Sequence, residues 1–318
     1  MNIGFIGLGN VGFKLANSLI ESGYKINIHD LKRENAKELE KKGATWKDSP
    51  RDLALKSDIS ITCLPSPAVV AEVIEGKNGL VNGMSKGKLW IEMSTTDSHE
   101  MIRLAKIIED KAAYCCEAPV SGGCHRAATG NIAILVGGNR TAFDLALPAL
   151  QAMGHQILHV GDLGKASILK VVTNFLASTH LVALGEALIV CKKAGLDLST
   201  VYEGIKISSG NSFVHETESQ VIMNGSYNIN FTMDLVCKDV GLFDTLASNM
   251  NIPTELSPLI YDIFKKGRKQ YGDRAWSSSI VKRLENSCET DLRAPGFPEE
   301  LIDSKPRKKG YEIIINNE

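Results

Sequence analysis

The sequence predicts an α/β domain at the N-terminal end followed by an all-α C-terminal domain, and three observations carry that prediction. From residue 1 to about 160, short β-rich apolar runs alternate with helical stretches. After Gly164 the strand signals stop and helical periodicity takes over. At 318 residues the chain is too long for one average core and too short for three. The expected division is residues 1–162, residues 163–290 and a tail at 291–318.

The strand runs fall at residues 3–6, 26–28, 59–64, 89–91, 114–116, 132–136 and 157–160. Their alternation with helices predicts stacked βαβ units around a largely parallel sheet. The second domain opens with an apolar stretch, residues 166–193, that has no proline and one glycine, Gly185, and reads as a long buried helix. Further helices are expected at residues 199–206, 213–223, 232–248, 255–271 and 278–285, separated by Gly, Asn, Ser and Pro signals. Beyond about Ser287 the periodicity fades, and the stretch ending in Tyr311-Glu312-Ile313-Ile314-Ile315 reads as a tail that wraps something or frays.

Composition excludes several classes of function. Lysine and arginine total 36 against 37 acidic residues and are dispersed, which gives no one-faced field for nucleic acid or an acidic membrane. The seven cysteines are irregularly spaced, with Cys115 and Cys116 adjacent; this suits neither a disulfide framework nor a CxxC metal pair, and they read as reduced thiols. No basic leader precedes an apolar signal core and no apolar run reaches membrane-spanning length, so the expected location is the cytoplasm. No metal is expected, because the histidines form no HExxH pair and no cluster with carboxylates at ligand spacing.

Gly7-Leu8-Gly9-Asn10-Val11-Gly12 follows the first strand run and opens a helix. That context makes the GxGxxG pattern a dinucleotide fingerprint. Gly7 permits the tight turn, Gly9 lets the backbone approach a pyrophosphate, Gly12 lets the helix pack on the strand, and Asn10 and Val11 complete the loop beneath the phosphates. Eighteen residues after Gly12, Asp30 ends the next apolar run, where a carboxylate accepts ribose hydroxyls and repels a 2′-phosphate. NAD is therefore expected in preference to NADP, although Lys32 and Arg33 follow closely. The other reading of the glycines is a structural turn without cofactor.

Lys170 lies in the apolar run Ile168-Leu169-Lys170-Val171-Val172. Periodicity leaves two readings open: a desolvated lysine, whose pKa burial lowers toward the range useful for proton exchange, or a lysine snorkelling to the surface. Asn174, four residues on, shares its helical face.

Four separated blocks, taken in order, resemble the β-hydroxyacid dehydrogenase family, the group that includes 3-hydroxyisobutyrate dehydrogenase, tartronate semialdehyde reductase and succinic semialdehyde reductases. They are the fingerprint with its strand, Glu92-Met93-Ser94-Thr95-Thr96-Asp97, Ala118-Pro119-Val120-Ser121-Gly122-Gly123, and Lys170 with Asn174. A fifth, Lys238-Asp239-Val240-Gly241-Leu242, resembles the family's KDxGL segment, and the resemblance spans residues 1 to about 286.

The resemblance implies an N-terminal Rossmann domain of the 6-phosphogluconate dehydrogenase type, a helical domain, and a homodimer or homotetramer. It implies reversible hydride transfer between a nicotinamide and a small anionic 3-hydroxy acid or semialdehyde acid. Lys170 would act as general acid/base, Asn174 would meet the substrate oxygen or orient the ammonium group, its other reading being an amide in a helix contact, and Ser121, Gly122 and Gly123 would cradle the substrate carboxylate, their other reading being a mere turn. Leu64 and Pro65 would form a cofactor-facing turn, Thr95 would lie near the nicotinamide ribose, and Lys238 near the cofactor. An ordinary surface ion pair with Asp234 or Asp239 is the other reading of Lys238.

Two departures stand out. Ala166 and Ser167 replace a glycine and a glutamine of the family's GxxGxGQ run, and Cys124-His125-Arg126 stands where the family often has small residues. An imine reductase-like enzyme and a non-catalytic dinucleotide-sensing protein are the alternatives, and the retained Lys170 argues against both.

Overall fold

The structure, a computed structural model, describes residues 1–315. It forms two compact units, one of residues 1–170 with the C-terminal residues from Asp303 on, the other of residues 171–302.

Among its described residues, the first unit is built on ten strands: β1 (Asn2–Ile6), β2 (Lys25–His29), β3 (Thr45–Trp46), β4 (Ile59–Thr62), β5 (Leu89–Glu92), β6 (Tyr114–Glu117), β7 (Val120–Ser121), β8 (Ala133–Gly137), β9 (Gln156–Gly161) and β10 (Tyr311–Glu312). They lie in the order β10-β9-β8-β6-β5-β4-β1-β2-β3, with β7 paired to β8 off this path. Among the described residues, only the β8 pairings with β6 and β7 are antiparallel in this sheet. Apolar residues from both sheet faces bury themselves under helices, as a parallel sheet requires. One cluster packs Ile3, Phe5 and Ile28 against Leu15, Leu19 and Phe143; the other packs Ile6 and Trp90 against Leu53, Val70, Ile74 and Leu104.

The chain runs from β1 to β2 and β3 on one side, then crosses to β4 on the other. The gap between the carboxyl ends of β1 and β4 is thus the topological switch point, where doubly wound sheets hold their ligands.

The second unit holds the continuation of the helix Lys165–Lys193 and the helices Leu198–Lys206, Phe213–Asn224, Met233–Asn249, Leu256–Tyr271 and Lys282–Ser287. Among its described residues there is no strand, only an isolated bridge between Thr232 and Trp276. Its core gathers Leu181, Leu188, Ile222, Met233, Val240 and Phe264.

One expectation is corrected. The helix Lys165–Lys193 is 29 residues long, with a mean hydropathy of 1.5 over its most apolar stretch, and so is long and apolar enough to cross a membrane by length and composition. Length and composition count a core-facing leucine as they count a lipid-facing one; here Leu181, Val182, Leu184, Leu188 and Ile189 are packed into the helical core.

As far as Ile315, the C-terminal segment wraps rather than frays, and the last three residues of the expected tail lie outside the described residues. Asp303 accepts from Thr129 Oγ1 at 2.5 Å and Asn131 Nδ2 at 2.8 Å. Arg140 grips Glu312 through two hydrogen bonds of 2.7 and 3.0 Å, and β10 pairs with β9, covering an edge that would otherwise expose its backbone.

Candidate active site

The glycine-rich loop bears the geometry its spacing predicts. Gly7 has φ +94°, and a Cβ there would stand 2.3 Å from the Cys63 carbonyl; a Cβ on Gly12 would stand 2.0 Å from the Gly7 carbonyl. Both positions are closed to any side chain. Gly9 is the opposite case, with nothing within 4 Å of its missing Cβ, so its backbone borders open space that a pyrophosphate fits and a side chain would fill. The helix Gly12–Glu21 begins at Val11 with no side-chain cap and no acid in its first turn. Helices Pro50–Leu55, Pro67–Glu75, Ser98–Glu109 and Arg140–Met153 are each capped by a side chain: Ser49, Ser66, Asp97 and Asn139. An uncapped helix start beside an open backbone is a donor set suited to a phosphate, and the residues present fit a dinucleotide.

The switch point brings the other cofactor candidates to this loop. The Gly7 N–H donates to the His29 carbonyl at 3.0 Å, and the Cys63 N–H to the Ile6 carbonyl at 3.0 Å, so the ends of β1, β2 and β4 lie side by side. Leu64 Cδ2 lies 3.0 Å from the position of a Gly7 Cβ, and Pro65 follows it. Asp30 accepts from the Leu8 N–H at 2.6 Å, the Lys32 N–H at 2.7 Å and Asn35 Nδ2 at 3.1 Å. An ionised carboxylate offers about four acceptor sites, which leaves capacity for a ribose hydroxyl. Arg33 is engaged elsewhere: it grips Glu40 at 2.5 and 2.6 Å and lies 4.4 Å over the Trp46 ring.

Two buried acids that sequence reasoning passed over organise the ends of β5 and β6. Glu92 and Glu117 are register partners on these strands, and both are fully buried. Glu92 accepts from Thr62 Oγ1, itself held by Trp90 Nε1 at 2.8 Å, and from the Ser94 N–H at 2.6 Å. Ser94 Oγ in turn accepts the Leu64 N–H at 2.7 Å. Glu92 therefore ties the Leu64-Pro65 turn to the segment that leads into Thr95. Burial pushes its carboxyl up to about 7 against the pull of these donors.

Glu117 performs the same task on the other side. It accepts from the N–H groups of Ala166 and Ser167 at 2.9 and 3.2 Å and from Ser167 Oγ, capping the first turn of the helix that carries Lys170. Burial raises this carboxyl as well, while these donors hold the rise back. The unusual Ser167 is thus the acid's partner. Lys170 itself is 7% exposed, which decides between the two readings of its side chain: it is buried, not snorkelling.

Ser121 closes β7, and Gly122 and Gly123 follow with φ +124° and +84°, opening the short helix Gly123–Thr129. The two side chains that depart from the family pattern fold back over these glycines. Arg126 Cδ stands 3.1 Å from the position of a Gly122 Cβ, and His125 Cε1 2.9 Å from that of Gly123. Burial first, then the Arg126 charge, lower the His125 imidazole below its ordinary range.

In the second unit Asn174 Nδ2 donates to Asp239 at 2.5 Å, and Asp239 pairs with Lys238 at 2.8 Å. Asp234, the other partner considered for Lys238, bonds instead to Arg274 at 3.2 Å. Among the described residues no group of three or more His, Cys, Asp or Glu side chains could hold a metal ion.

Residues 2–161 match the profile described as the NAD binding domain of 6-phosphogluconate dehydrogenase, and residues 164–284 match that described as the NAD-binding of NADP-dependent 3-hydroxyisobutyrate dehydrogenase. The chain is 33% identical over 283 residues to the 2-(hydroxymethyl)glutarate dehydrogenase of Eubacterium barkeri, covering 89% of this chain and 94% of that one. It is 34% identical over 284 residues to the mitochondrial 3-hydroxyisobutyrate dehydrogenase of Rattus norvegicus, covering 87% and 85%. The solved structure of 3-hydroxyisobutyrate dehydrogenase from Salmonella typhimurium aligns with a TM-score of 0.81 at 26% identity, over 89% of this chain and 99% of that one.

Proposed function

This chain belongs to the β-hydroxyacid dehydrogenase family, NAD(P)-dependent oxidoreductases that act on CH–OH groups, and from that premise we propose that it interconverts a small 3-hydroxy acid and its semialdehyde acid with NAD, using Lys170 as general acid/base. The observation that carries this reading is the burial of Lys170 at 7% exposure, on a helix whose start is bonded into the sheet.

The dinucleotide, when bound, supplies or takes the hydride. Gly9 and the uncapped start of Gly12–Glu21 would hold its phosphates, Leu64 and Pro65 would face it, Thr95 would lie near its nicotinamide ribose, and the family resemblance gives Lys238 a role on the cofactor side. Ser121, Gly122 and Gly123 receive the substrate carboxylate. In oxidation the hydroxyl proton passes to the neutral amine of Lys170; in reduction the ammonium returns it to the carbonyl oxygen. Asn174, one helical turn along from Lys170, orients that oxygen.

NAD is favoured over NADP on two grounds. Asp30 places a carboxylate beside the glycine loop, where it repels a 2′-phosphate, and the nearby Arg33 is occupied by Glu40. We further read the enzyme as a homodimer or homotetramer, which the family resemblance implies, and as cytoplasmic.

The test is oxidation of NADH and of NADPH by the purified chain against a panel of small semialdehyde acids. Turnover with NADH well above that with NADPH is the expected result. Firm dinucleotide binding without turnover on any member would overturn the reading in favour of a different substrate class or a sensing role.

A further inference from the structure

We propose that Glu117 is a positioning residue, one that sets the distance between the substrate's carboxylate and the group that exchanges its proton; this rests on the reading of Lys170 given above. The first N–H groups of any helix lack internal partners, and a residue just before the helix usually supplies the cap. For Lys165–Lys193 the cap comes from far away in the chain. Glu117, on the end of β6, takes three donors from Ala166 and Ser167, and Lys170 follows Ser167 by three residues.

The same strand end leads, four residues later, to Ser121, Gly122 and Gly123. One carboxylate therefore ties the lysine-bearing helix to the strand that enters the anion cradle. A substrate has a fixed span between its acid group and its reacting oxygen, so this tie sets whether both ends are met at once. The seat is built for the acid: at Gly137, the register partner of Glu117 on β8, a Cβ would stand 2.3 Å from Glu117 Oε1. A buried carboxylate is costly unless its donors are in place, which makes the geometry narrow.

The experiment takes Glu117→Asp, Glu117→Gln and Ser167→Ala in the full chain, with Lys170→Ala in parallel. Each is measured for thermal stability, for NADH affinity by fluorescence, and for kcat, KM and their pH dependence on the fastest member of the semialdehyde panel. Glu117→Asp should retain NADH affinity and lose about 100-fold in kcat, the scale of a displacement near 1 Å. Ser167→Ala should lose roughly tenfold, the loss expected from one hydrogen bond to a charged group. The limb of the pH profile that follows the proton-transfer group should move in both.

If folded Glu117 variants keep the wild-type kcat and pH profile while Lys170→Ala loses turnover, the positioning role is overturned and Lys170 stands. Loss of NADH affinity together with kcat would overturn it too, since that is a general structural defect. Turnover surviving in Lys170→Ala, or absent from the wild type on every panel member, would overturn the reading of the site and this proposal with it. If neither Glu117 variant folds, Ser167→Ala decides by the same kcat and pH criteria.

Discussion

Two helices in the first unit start near the carboxyl ends of its central strands and solve the same problem in opposite ways. Gly12–Glu21 begins with no side-chain cap, beside a glycine whose backbone faces open space. Lys165–Lys193 begins on a fully buried glutamate that fills its first turn. In the proposed reading, the first leaves its donors for an anion that comes and goes. The second has its anion built in, so it holds still. On the proposed reading, binding and alignment are divided between two helix starts on one sheet.

The comparison can be broken in several places, and the largest effect is on stability. Burying carboxyls at these strand ends, Glu92 as well as Glu117, makes stability depend on pH. Glu92, the neighbour of Glu117, is held at about 7 by burial against an ordinary 4.5. A raised folded-state value means the folded chain binds more protons than the unfolded one, so stability is lost as pH rises through that window. The loss due to Glu92 should be roughly 3 kcal/mol. Urea unfolding at pH 4.5 and pH 8 measures it, and Glu92→Gln should shrink the difference by that amount.

Filling the open start comes next. Gly9→Val should weaken NADH binding about 100-fold, by titration calorimetry, and leave the melting temperature near that of the wild type. A large drop in stability would mean that the space over Gly9 is not a binding space. Gly137→Ala tests the built-in anion by crowding Glu117, and overpacking of this kind should cost about 1–3 kcal/mol in denaturant. The smallest effect concerns cofactor choice. Asp30→Ser should narrow the NADH over NADPH preference by roughly tenfold in kcat/KM, and an unchanged ratio would move the discrimination elsewhere.

Much of this was legible in the residues. The fingerprint announced its loop because Gly7 and Gly12 meet local steric demands, and the seven apolar runs marked strands because a buried strand must be apolar along its length. The two-residue strands β3, β7 and β10 escaped, since two residues cannot display a period. Glu92 and Glu117 escaped for a deeper reason. An acid at the end of a strand ordinarily points to solvent, and what buries these two is supplied by Thr62, Ser94 and Ser167, none a sequence neighbour close enough to announce it except Ser94. The available signal was the form of the runs Leu-Trp-Ile-Glu and Tyr-Cys-Cys-Glu, each a β-rich strand closed by a glutamate and followed directly by a candidate site segment. Ser167 stood out as a departure from the family pattern, but its use required the fold.

The central claim is that the buried lysine exchanges the proton, and the direct measurement is NADH affinity and single-turnover hydride transfer in Lys170→Ala. The account predicts NADH affinity close to the wild type with hydride transfer slowed by about 10²–10⁴-fold, the usual contribution of a positioned acid/base group. Transfer at the wild-type rate in that variant, with NADH bound, would contradict it.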